Sequence, residues 1–430
     1  MTHVLIATDG VLGPRMTGPA IRALELARVL ARDGHVVRLA SIRSGTIPQG
    51  VGEALEVLPG CGGRTLVQLA AEADVVLAGG FVAAHHPGFV ARARHFVLDL
   101  YDPMLLEVLA SAESTALRRW RLREQRAWLA WQMARADVCL VASARQRDYW
   151  TGRACALGLL TAERHDQDPA LDRMFLEVPF GVPEEPPAHD QPVMRGVLPG
   201  VGPDDVVALW YGGLWDWFDP LTPLRGAAPL AQTHPRLRLV FLAGKPPQPG
   251  SPHHRRREEL ITEARRLGTL GSQVVLVEDW VPYGDRGRWL LEADAGLSAH
   301  RINLETRYSY RTRLLDFLWA GLPVLTSAGD GFADKVKEQR LGLTMPESHV
   351  EAWTQALARL AEDPAWRLAT AGNVRRAAVA YRWSEAARPL RNFVAEPWSQ
   401  PARPGNWPRP WPRWTGWPVK AALKVLGKRG

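Results

Sequence analysis

Short apolar runs alternate with longer stretches of helical periodicity along most of this chain. HVLIAT (3–8) has strand length, and a Gly/Pro loop follows it with Gly10, Gly13, Pro14, Gly18 and Pro19. Residues 20–34 then set Ile21, Leu24, Ala27 and Leu30 on one helical face, and Gly34 supplies a stop. The same pattern predicts strands at 35–41, 74–80, 95–100, 136–143 and 175–181, with a long helix around 113–134. Strands separated by helical segments predict a parallel, doubly wound sheet.

Residues 183–204 interrupt the pattern with Pro, Gly and acid, which predicts a linker. A second series follows, with strands expected at 206–213, 237–244, 273–280, 295–300 and 322–327. Helices are expected at 255–268 and 311–321, and a last one at 384–394. The reading is therefore α/β: a Rossmann-like domain over 1–182, the linker 183–204, a second Rossmann-like domain over 205–383, and a final helix over 384–396 crossing back to the first domain. Two such sheets facing each other would leave a cleft between the carboxyl ends of their strands, where open α/β sheets bind ligands. Fold alone decides nothing about chemistry.

Length fits this division, since 430 residues exceed one ordinary core. Apolar residues at 46% and charged residues at 23% exclude global disorder, a collagen-like repeat and a coiled coil. The three cysteines, Cys61, Cys139 and Cys155, lack the spacing of a zinc site or a disulfide framework. No apolar run reaches membrane-spanning length, and the N-terminus reads as a first strand rather than a signal peptide, so a cytoplasmic address is expected. The net charge of +8 is concentrated in residues 397–430, which hold seven basic residues, no acid, seven prolines and five tryptophans. The rest is near neutral, with 46 basic residues against 45 acidic ones, which argues against nucleic acid as a partner.

The most informative stretch is 305–327, ETRYSYRTRLLDFLWAGLPVLTS. A loop enters a helix near Arg311, where free backbone N–H groups attract anions. Arg311 and Arg313 flank Thr312 and can bind phosphate, and Asp316 stands one turn further in, where a carboxylate accepts from ribose hydroxyls. These features suit a nucleoside diphosphate, although a surface helix with an ordinary Arg–Asp pattern reads the same way.

LLDFLWAGLPVLTS resembles the second half of the signature of family-four retaining glycosyltransferases, which have the GT-B fold, and most resembles a bacterial envelope-polysaccharide subgroup. The second acid of the family's Glu-x7-Glu pattern matches Asp316. Tyr308 stands at the first, so the resemblance leaves Glu305 as the substitute donor acid. Residues 16–37 resemble the family's N-terminal glycine loop and helix, implying that Gly18 shapes the phosphate-facing loop and Arg22 contacts phosphate. WYGGLWDWFDPL (210–221) stands where the family has a Gly-Arg…Lys pair. Gly212, Gly213, Trp215 and Asp216 are there instead, leaving Arg311, Arg313 or Lys245 to supply the charge. Residues 278–300 resemble the segment that holds the nucleobase, with Trp280, Val281 and Pro282 lining it.

On the acceptor side the resemblance implies Tyr101 and Asp102, in LDLYDP, as the catalytic pair, where many relatives have a His-Asp-like pair. Glu107 stands on the following helix, His85 and His86 are alternatives, and Asp102–Pro103 also suits a plain helix start. The implied reaction moves a glycosyl group from a nucleotide diphosphate sugar, a co-substrate, to an acceptor hydroxyl on a glycan or lipid-linked molecule, with no metal and no other cofactor. The basic, Trp-bearing segment 116–135 and the tail add the expectation of an anionic membrane surface, and hence a peripheral location at the inner face of the cell membrane. Three rivals remain open: a nucleotide-sugar epimerase of the same architecture, a degenerate non-catalytic binding subunit, and an NAD-dependent dehydrogenase. The last expects GxGxxG after the first strand, and GVLGPRMTG lacks that spacing.

Overall fold

A computed structural model describes residues 1–48, 51–244 and 255–400. Lys245 and tail residues 401–430 lie outside the described residues. The described chain divides into two compact units, Phe180–Glu385 and a first unit formed by Met1–Pro179 with residues 386–400.

The first unit carries seven parallel strands: β1 (His3–Thr8), β2 (Val36–Ser41), β3 (Leu55–Leu58), β4 (Val75–Gly79), β5 (His95–Asp99), β6 (Val138–Val141) and β7 (Phe175–Glu177). Their order across the sheet is β3-β2-β1-β4-β5-β6-β7. β1 is almost wholly apolar and buried because helices cover parallel sheets on both faces. The Arg388–Ala395 helix belongs to this unit: Thr2 Oγ1 donates to Val394 O at 3.0 Å, and Arg391 forms a two-bond pair with Asp33 at 2.6 and 2.7 Å.

The second unit carries six parallel strands: β8 (Val206–Tyr211), β9 (Leu237–Leu242), β10 (Val274–Val277), β11 (Ala295–Ser298), β12 (Val324–Ser327) and β13 (Gly342–Met345), in the order β10-β9-β8-β11-β12-β13. Each sheet reverses its winding once, between β1 and β4 and between β8 and β11. Those reversals are the positions where open sheets of this type bind ligands.

The expected linker is no loose tether. Residues 183–204 are irregular but packed onto the second unit: Glu292 accepts from the backbone N–H groups of Val193, Met194 and Arg195 at 2.8, 2.8 and 2.6 Å. Arg195 also pairs with Asp294 at 2.6 Å, and Met194 is fully buried.

One close approach sets the helix that carries the candidate donor residues. On Gly296 in β11, a Cβ would fall 2.2 Å from the ring of Phe317, so the Thr312–Trp319 helix lies directly against the strand. Gly296→Ala should therefore overpack this contact and cost about 1–3 kcal/mol. Urea unfolding should show a lower midpoint at unchanged slope, partly recovered in the Gly296→Ala/Phe317→Leu pair. An unchanged midpoint would refute the contact's role.

Candidate functional site

At the second sheet's reversal, β8 ends in Tyr211 and runs into Gly212 and Gly213. Gly212 has φ +92°, a left-handed turn that favours glycine. From the Thr312–Trp319 helix, Arg313 reaches this turn and donates from Nη2 to Gly213 O at 2.8 Å. Its guanidinium lies 3.9 Å from the centre of the Phe218 ring and 4.9 Å from that of Trp210. Nη1 is buried with no hydrogen-bond partner. Burial, followed by the Arg311 charge, pulls the Arg313 pKa down to about 9. The group is still charged at neutral pH, with one donor unspent.

Asp316 lies three residues on. Its Oδ1 is 3.1 Å from Arg286 Nε, and a quarter of the side chain remains exposed. Burial raises the Asp316 pKa, while the Arg286 charge and hydrogen bond oppose the rise. Arg286 is itself buried, 3.7 Å from the Tyr283 ring centre and 4.3 Å from that of Trp319, and Nη1 donates to Tyr283 O at 2.7 Å. Arg286 is a site residue that the sequence reading missed. Its signal is faint, an arginine at the start of a short helix after the Trp280–Pro282 turn.

The structure spends Arg311 and Glu305 on each other. Arg311 Nη1 and Nη2 reach Glu305 Oε1 and Oε2 at 3.0 and 2.9 Å, and both side chains are buried. Ser309 donates its hydroxyl to the same carboxylate, and Asp330 Oδ2 lies 3.7 Å from Arg311 Nε. Asp330 Oδ1 caps the Gly331–Glu338 helix by accepting from the N–H groups of Phe332 and Ala333 at 2.8 and 2.7 Å. His300, just past β11, completes the buried group, with Nε2 3.6 Å from Asp330 Oδ2. Thr312 is the first helical residue and is half-buried. Trp280 and Val281 follow β10, and the Asp279–Trp280 backbone comes so close to Gly244 that a Cβ there would collide at 2.4 Å.

In the first unit, Gly18 opens the Gly18–Arg32 helix, and a Cβ there would sit 3.5 Å from the Tyr101 hydroxyl. Arg22 was expected to contact phosphate. Instead its polar atoms are used inside the fold: Nε and Nη2 bind Asp99 at 2.6 and 3.1 Å, Nη2 also donates to Val178 O at 2.9 Å, and Nη1 donates to Pro179 O at 3.0 Å. Asp99 is a partner the sequence reading missed. Tyr101 is buried 4.7 Å beneath the Arg22 guanidinium. Burial, then the Asp102 and Asp99 charges and a hydrogen bond to Asp102, push its phenol well above the ordinary value. Gly18, Tyr101 and Asp102 thus come together. His86 packs against Gly63, and burial lowers its pKa.

Comparisons with known proteins place this geometry. No protein-family model matches the chain. A D-inositol 3-phosphate glycosyltransferase from Actinosynnema mirum is 27% identical over 194 residues, covering 44% of this chain and 44% of that protein, under half its length. An α,α-trehalose-phosphate synthase (UDP-forming) from Burkholderia xenovorans, solved with glucose-6-phosphate, aligns over 91% of this chain and 100% of its own at 13% identity, with a TM-score of 0.64. WaaG, a glycosyltransferase involved in lipopolysaccharide biosynthesis, aligns over 91% of this chain and 100% of its own at 18% identity, with a TM-score of 0.60. The fold is GT-B. In GT-B terms, Gly212, Gly213, Arg313 and His300 cluster at the reversal of the second Rossmann-like unit, with Asp316 one turn along the same helix.

His300 gives this cluster a measurable signature. Burial first, then the Arg311 charge, lowers its pKa from 6.5 to about 3. A histidine whose folded-state pKa is depressed takes up its proton in the unfolded chain first, so its stabilising contribution is lost as pH falls below 6.5. The slope from this one group should approach about 1.4 kcal/mol per pH unit. Urea unfolding at pH 7, 6 and 5 should show His300→Asn with a shallower acid dependence than wild type. Parallel slopes would contradict a neutral buried His300.

Proposed function

We propose that this protein is a glycosyltransferase that moves a sugar from a nucleoside diphosphate donor to an acceptor hydroxyl, in the synthesis of cell-envelope polysaccharide or glycolipid. The observation that carries the reading is the pairing of Arg313, with its unspent buried donor at the Gly212–Gly213 turn, and the half-open Asp316 on one helix of a GT-B donor unit. The named relatives and neighbours are glycosyltransferases and a sugar-phosphate synthase, which favours transfer over epimerisation or a purely binding role.

As the glycosidic bond to the leaving diphosphate breaks, negative charge builds on the phosphate oxygens. The first N–H groups of the Thr312–Trp319 helix and Arg313 Nη1 would meet that charge, and fixed donors in a buried setting stabilise it strongly. No metal is required by this arrangement. Asp316 would accept hydrogen bonds from ribose hydroxyls, with Arg286 fixing its rotamer and opposing the rise in its pKa. Trp280 and Val281 would line the base. On this reading Glu305 and Arg311 hold the loop rather than the donor, and Arg22 holds the first unit's glycine-loop helix. Tyr101 and Asp102 would receive the acceptor hydroxyl, with retention of configuration as the family-four resemblance implies. Among the described residues no helix is long and apolar enough to cross a membrane. Peripheral attachment at the cytoplasmic face through the basic Thr115–Met133 helix fits a lipid-linked acceptor.

Thermal unfolding with UDP, GDP, dTDP and ADP tests the donor site, with UDP first because of the UDP-forming neighbour. A nucleotide at 100 times its dissociation constant should stabilise the wild type by about 2.7 kcal/mol. Arg313→Met and Asp316→Ala should abolish the shift, and Arg286→Gln should weaken binding roughly tenfold, the loss of one charge-assisted contact. If no diphosphate stabilises the protein, or the variants bind as wild type does, the donor site is wrong.

A further inference from the structure

Away from either sheet's reversal, the Thr115–Met133 and Ala144–Ala156 helices of the first unit border an open groove of about 680 Å³. Arg119, Arg123 and Arg126 repeat at i, i+4 and i+7, so they line one face of the longer helix, and all are exposed. Arg153 faces them from the second helix, donating from Nη2 to Arg126 O at 2.7 Å, while its Nε is buried with no hydrogen-bond partner. Among the described residues no ion pair joins any of these four arginines to a carboxylate. The contrast with Arg121 on the same helix is direct, since Arg121 pairs with Glu113 at 2.9 Å.

Four like charges around one groove repel, and among the described residues no carboxylate pairs with them. Burial and the nearby Arg126 charge both lower the Arg153 pKa, which reports the same imbalance. The groove also has an apolar side. Leu122 and Leu157 line it together with small alanines, leaving a strip where methylene groups can lie. Guanidinium forks suit phosphate oxygens, and the strip suits hydrocarbon. We propose that this groove binds the phosphate head and first methylenes of an anionic amphiphile. The inference deepens the proposed peripheral attachment through the Thr115–Met133 helix and is independent of the donor-site reading.

The test uses the full chain and calorimetric titration with dihexanoylphosphatidic acid below its micelle concentration, dihexanoylphosphatidylcholine, and inorganic phosphate. The expected result is binding of the phosphatidic acid at least tenfold tighter than either of the others. Arg119→Glu/Arg123→Glu should weaken it at least tenfold, Arg123→Gln should weaken it less, and Arg64→Glu on another exposed helix should leave it unchanged. Circular dichroism checks that each variant is folded. Equal binding by inorganic phosphate would place a soluble anion in the groove and overturn the amphiphile. Unchanged binding in the doubly reversed variant, or none in wild type, would overturn the site.

Discussion

The candidate site depends on one buried ion pair. Glu305 and Arg311 are both buried and meet through two hydrogen bonds of 3.0 and 2.9 Å. Removing either partner strands a charge in a low-dielectric interior, a cost of about 3–5 kcal/mol. The pair therefore staples the segment between β11 and the Thr312–Trp319 helix into one conformation. Everything further along that helix inherits the placement. Arg313 meets the Gly212–Gly213 turn and Asp316 meets Arg286 because Arg311 is fixed where the helix begins. The loop geometry comes from a pair that itself faces away from solvent, and on the proposed reading a side chain that looks like a ligand group in the sequence works as a joint.

The first unit solves the same problem in the same way. Arg22 ties the start of the glycine-loop helix to Asp99 at the end of β5 and to the carbonyls after β7. Each of these buried guanidiniums also lies against aromatic faces: Arg22 against Tyr101, Arg311 against Phe218, Arg313 against Phe218 and Trp210, Arg286 against Tyr283 and Trp319. A ring face attracts a cation without needing a counter-charge, which reduces the penalty of burying one.

These pairings explain what the sequence could and could not reveal. Alternation of apolar runs with helical periods exposed the strands that are long and rich in Val, Leu and Ile. It passed over β3, LEVL, and β13, GLTM, because four residues with a charge or a glycine carry little periodic signal. The order of strands across each sheet was not legible, since periodicity says nothing about neighbours. Arg313, Asp316 and the Gly212–Gly213 turn could be singled out because their residue types stand at element boundaries. The partners of Arg22 and Arg286 could not. They are 77 and 30 residues away, and an arginine's identity does not reveal whether its fork is used inside the fold or aimed at a ligand. The packing of the 183–204 linker was hidden for a related reason. Its Pro, Gly and acidic residues suit an exposed tether, yet Glu292 organises its backbone by accepting three N–H groups in succession.

Arg313 differs from Arg22, Arg286 and Arg311 in having no paired carboxylate among the described residues. Arg22 and Arg311 hold carboxylates through two bonds each, and Arg286 holds one through a single bond. Arg313 has a carbonyl, two ring faces and an Nη1 with no partner, and its pKa has fallen to about 9. That is an unfavourable arrangement for stability, because a buried donor left unsatisfied costs about 1–3 kcal/mol. On the proposed reading the cost would be recovered when the donor's diphosphate arrives, and most fully when its charge is greatest. Under the proposed donor role, a group held this way would favour a diphosphate whose charge is growing over one that is merely bound, and differential binding of that kind would accelerate the bond-breaking step.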